Sequence, residues 1–74
     1  MNALEIKEYS GLTFPQIAER AGVGYQTAFH GVHSPAGASL ETFTRIMATM
    51  GLSDDESFEL WADARRKRSD KRAI

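Results

Sequence analysis

Seventy-four residues with a formal net charge of −1 and no cysteine describe one small domain, with neither a disulfide framework nor a thiolate zinc site. A chain of this length buries only about 60% of the surface that its unfolded form exposes, so its expected stability is modest. No apolar run approaches the roughly 18 residues of a membrane span, and no signal-peptide pattern opens the chain, so an intracellular, cytoplasmic and soluble protein is expected.

Five helices and no strand are predicted, an all-α fold. Asn2 followed by Glu5 has the spacing of a capping box, and Ala3, Leu4, Ile6 and Tyr9 supply an apolar stripe up to a break at Ser10-Gly11. Thr13 with Gln16 forms a second box, and Leu12 with Ile17 has the spacing of a hydrophobic staple. Pro15 is harmless there, because N–H groups in a first turn lack intrahelical partners. Gly22 suits the left-handed backbone that stops a helix abruptly, Ala18 is small enough for a crossing helix to pack on, and Val23 plugs the corner.

A third helix is expected from Gly24 or Tyr25 to between Gly31 and His33, followed by a loop over Ser34-Pro35-Ala36-Gly37. Ser39 caps a fourth helix, whose Leu40, Phe43, Ile46, Met47 and Met50 recur at helical spacing before Gly51 ends it. Ser53 with Glu56 caps a fifth helix, where Asp54, Asp55 and Glu56 suit the positive end of the helix dipole and the last turn is basic. The domain is assigned to residues 1–66 and a basic C-terminal tail to 67–74.

Charge is unevenly distributed. Six of the nine basic residues are Arg65, Arg66, Lys67, Arg68, Lys71 and Arg72, while Ala21 to Leu40 contains no Asp or Glu. That basic run reads either as a solvated helix end or as a phosphate-binding arm. Phe58 and Trp61 are expected in the core, with one of them alternatively on a dimer seam.

Leu12-Thr13, Ile17-Ala18, Gly22-Val23, Thr27 and the closing Ser39-Leu40-Glu41-Thr42-Phe43, Ile46 and Met50-Gly51-Leu52 together resemble the helix-turn-helix of the lambda-repressor–Cro, or Xre, family. The resemblance covers roughly residues 4–52. It implies a compact five-helix domain of the lambda-repressor-like type, in which the helix from near Gly24 enters the major groove and the preceding helix braces on the backbone. The implied activity is sequence-specific transcriptional regulation, as a repressor, on a near-palindromic operator. Two departures stand out: Phe14 replaces the family's usual Gln, and Ala28 and Gly31 replace branched apolar residues. The reading helix is then lightly anchored, or closer to its neighbours, or held by Val32.

The chemistry of the nominated side chains agrees with that implication. Gln26 can pair with an adenine edge, and His30 can donate to guanine N7 or O6. Tyr25 can bond a phosphate or pack on a thymine methyl, while Phe29 is either exposed in the groove or buried in the core. Thr13, Gln16 and the first backbone N–H groups of their helix can hold phosphates without charge, and Arg20 and Arg45 add charged contacts if they face the DNA. Gly24, Thr27 and His33 complete the nominated set.

His30 and His33 are three apart, but without Cys or a nearby carboxylate a metal site is not expected. No cofactor and no catalytic constellation is expected, since the chain has no Gly-rich phosphate loop and no Cys nucleophile. Asp54 and Asp55 are adjacent, and capping accounts for them. A homodimer is expected, formed in solution or only on DNA. The alternative function is an antitoxin or other protein-interaction module on the same scaffold.

Overall fold

The computed structural model describes residues 2–72, with side-chain environments through Arg68. Its elements are α1 (Ala3–Ser10), α2 (Phe14–Ala21), α3 (Tyr25–His33), a 3₁₀ turn (Pro35–Gly37), α4 (Leu40–Ala48) and α5 (Asp54–Arg72). No strand occurs among the described residues. The five predicted helices are all present. The predicted loop 34–37 contains the 3₁₀ turn, because Gly37 and Ala38 donate back to the carbonyls of Ser34 and Pro35.

Local hydrogen bonds explain where the helices start. Asn2 and Glu5 bond each other's backbone N–H groups, as do Thr13 with Gln16 and Ser53 with Glu56, and Ser39 Oγ accepts from the Thr42 N–H. The bonds from Ser53 also hold the Glu56 carboxyl below its ordinary range.

The ends of α1, α2 and α4 use a glycine at positive φ. Gly22 stands at φ 71°, and the Val23 N–H reaches back to the Ala18 carbonyl at 3.0 Å, closing α2 in one residue. After Ala48 a short turn ends at Gly51, φ 88°, where the Leu52 N–H reaches the Met47 carbonyl. Gly51 thus closes α4 from three residues beyond its last helical residue.

Small residues let the helices approach. Ile17, Ala18 and Ala21 of α2, Ala28 and Val32 of α3, and Phe43, Ile46 and Met47 of α4 form the buried core with Ala3. α3 packs against α1, α2, α4 and the 3₁₀ turn, while α5 lies along α4 and that turn. Val32 is an anchor, and the tight approach of Gly31 to Ile46 shows that α3 also sits close to its neighbour.

Two apolar side chains lie elsewhere than expected. Tyr9 is 87% exposed, because six residues after Ala3 it points about 240° around α1, away from the core. Phe58 is 50% exposed, so it is not a core residue; Trp61 and Leu60 pack on the core instead. Inward at Phe58's neighbouring position is Ser57, fully buried with its hydroxyl unpaired. α5 continues unbroken from the assigned domain end at 66 through Arg72. The side chains of 69–74 and the last two residues of the assigned tail lie outside the described residues.

Candidate functional site

α3 presents two stripes. Ala28, Gly31 and Val32 turn inward, which leaves Tyr25, Gln26, Thr27, Phe29, His30 and His33 outward. Residues 25, 29 and 33 recur every four positions and form one line, with 26 and 30 beside it.

The first stripe is aromatic. Phe29 lies 4.3 Å from the His33 ring and 6.4 Å from Tyr25, nearly parallel to the latter at 20°. Phe14, in the first turn of α2, sits against Tyr25, Phe29 and His33 at 6.1, 5.1 and 5.6 Å. Lys7 Nζ caps the Phe14 ring at 4.5 Å, a cation–π contact from α1. The two alternatives for Phe29 are resolved midway: it is 37% exposed, one side on Phe14 and the other open.

The second stripe is polar. Gln26, Thr27 and His30 line a shallow groove whose far wall carries Ser34, Ser39 and Thr42. Gln26 and His30 are exposed, and no Asp or Glu occurs from 21 to 40.

The opening of α2 offers less than its sequence suggests. Thr13 Oγ1 accepts from the Gln16 N–H, and Gln16 Oε1 accepts from the Thr13 N–H at 2.9 Å. The Ile17 N–H goes to the Thr13 carbonyl and Pro15 has none, so Phe14 supplies the remaining first-turn N–H. Thr13 and Gln16 keep only their hydroxyl and amide protons for a ligand.

Arg20 lies exposed in the last turn of α2, and Gly24 is the extended residue before α3, with no side chain to cap it. Arg45 reaches over from α4: one guanidinium nitrogen stands 3.4 Å from where a Cβ on Gly22 would sit. The α2–α3 turn therefore carries a cation at its side. His30 and His33 belong to different stripes, and among the described residues no cluster of His or acidic side chains is arranged to hold a metal. No helix of the described residues is long and apolar enough to cross a membrane.

The C-terminal basic run is tied to the loop after α3. The Trp61 indole N–H donates to the Ala38 carbonyl at 2.8 Å, and the Arg65 guanidinium lies 4.8 Å over the Trp61 ring. Arg65 and Arg68 both donate to the Ala36 carbonyl, at 3.2 and 3.3 Å. Arg66 and Lys67 pair with Asp63, and Lys67 first, then Arg66, hold its carboxyl below the usual range. These exposed pairs contribute little to stability.

Sequence reasoning missed Lys7, Phe14 and the groove's far wall. The Phe14 association had a partial signal in the spacing of 25, 29 and 33; the others come from segments distant in the chain. What the fold defines by itself is a small all-helical domain with a two-striped surface helix. Comparisons of the chain with protein-family models, with curated proteins and with solved structures give no match.

Proposed function

We propose that this protein is a sequence-specific DNA-binding regulator of the lambda-repressor–Cro (Xre) type, acting in the cytoplasm by occupying an operator and blocking transcription. The observation that carries the reading is the exposed, acid-free outer face of α3, held behind a glycine-closed α2 and flanked by Arg20 and Arg45. On this reading Gln26 and His30 contact base edges, Tyr25 and Phe29 make apolar contacts, and Thr13, Gln16, Arg20 and Arg45 lie toward phosphates. Thr27, His33 and the Gly24 backbone border the contact. The role needs no cofactor and no catalytic group.

One reading helix with few charges falls short of the roughly 10⁻⁸ M affinity that specific regulators reach, so two copies are proposed on a near-palindromic site. Their α3 helices would lie about 34 Å apart, one turn of DNA. Phe58, half-exposed on α5, is the seam's candidate anchor.

The second reading, an antitoxin or adaptor gripping another protein, is favoured by the exposed Tyr25 and Phe29 rings that stack with half-buried Phe14, since aromatic side chains are enriched at protein interfaces. Gel shift and footprinting on DNA flanking the protein's own gene separate the two. A two-fold symmetric footprint, lost on random DNA, supports the regulator. Absence of any shifted species at micromolar protein favours the interaction module.

A further inference from the structure

We propose that the Tyr25 and Phe29 rings, backed by Phe14, read the 5-methyl groups of thymine in the major groove, so that the operator is defined by methyls as well as by hydrogen bonds. The inference rests on the DNA-binding reading above and specifies which chemical groups that face takes.

Three observations carry it. The Tyr25 and Phe29 rings are exposed on the α3 stripe beside Gln26 and His30, with half-buried Phe14 behind them, so a duplex that meets the polar stripe also meets the aromatic one. In the major groove the thymine methyl is the one apolar feature, and it lies beside the acceptors and donors that Gln and His recognise. Phe29 has no polar atom, so methyl contact is the only base-specific contact open to it.

Spacing and charge agree. The Tyr25 and Phe29 rings lie nearly parallel with centroids 6.4 Å apart, so the pair presents two separate apolar contacts along α3. Around the rings, Lys7 caps Phe14 and Arg45 lies over the adjoining turn, while residues 21–40 add no negative charge. A polyanion is the partner that this surround accommodates.

The first arm of the test needs no change to the protein. Sites are first selected from a random-sequence duplex pool, and the tightest is resynthesised with deoxyuridine for each thymidine in turn, which removes only the methyl. One or two positions are expected to lose about fourfold in affinity each, the equivalent of one buried methyl. With Phe29→Ala, folded by circular dichroism, the loss at one of those positions should vanish. The methyl and the ring are then energetically coupled in a double-mutant cycle. Specific binding with no deoxyuridine effect overturns the methyl reading and leaves DNA recognition standing. The same penalty in wild type and Phe29→Ala assigns the methyl to another group and overturns it too. Failure to enrich any duplex removes both this inference and the regulator reading.

Discussion

A methyl group on Gly31 of α3 would stand 2.6 Å from Cδ1 of Ile46 in α4, and Ile46 is wholly buried. The two helices meet at a separation where a Cβ at position 31 must displace the end of the Ile46 side chain. Gly31→Leu is expected to cost about 1–3 kcal/mol by overpacking. Gly31→Ala should be near neutral, because a helix-propensity gain of about 1 kcal/mol offsets the displaced Ile46 rotamer. Ile46→Val removes the clashing atom, so the double variant Gly31→Ala/Ile46→Val should be more stable than the sum of its singles predicts. Denaturant unfolding measures all four; a Gly31→Leu protein as stable as wild type would remove the close approach.

Trp61→Phe keeps one aromatic ring but deletes the pyrrole half of the indole, and with it the N–H that meets the Ala38 carbonyl. The expected cost is about 0.5–1.5 kcal/mol, a drop of several degrees in Tm for a domain this size. An unchanged melting curve would mean that water replaces the bond without loss.

Gln26→Ala is expected to cost about 1–3 kcal/mol on a selected DNA site and to relax discrimination at one base pair. Competition gel shifts with single-base variants of that site read both effects. An equal loss on random DNA would move Gln26 from base recognition to phosphate holding.

Deleting residues from Lys67 onward is expected to weaken binding to all DNA sequences alike. The salt slope should flatten by about 0.9 for each phosphate contact removed. The same deletion takes away the Arg68 bond to Ala36, so Tm should fall as well. A lowered Tm with an unchanged slope would leave the run one task, holding the loop after α3.

The helix starts were legible because their chemistry is local. Asn2, Thr13, Ser39 and Ser53 each cap through a backbone N–H three residues on, and such a bond forms whatever the rest of the chain does. Gly22 and Gly51 were legible for a similar reason, since a positive φ favours the residue without a Cβ. Tyr9 misled because apolar composition was counted without its angle around a two-turn helix. Phe58 misled because α5 turns the small Ser57 inward at that level.

The sequence by itself determined that the described residues are all-helical, where each helix starts, where α1 and α2 stop, and which side of α2 and α4 turns inward. Capping and 3.6-residue periodicity act within a few residues, so they are written in consecutive letters. The tertiary structure alone decided that Phe14 joins the α3 rings, that Lys7 covers it, and that Arg65 and Arg68 grip the carbonyl of Ala36. Those contacts join residues up to 32 positions apart. They depend on how closely Ala28 and Gly31 let the helices approach, a distance set by packing of the whole core.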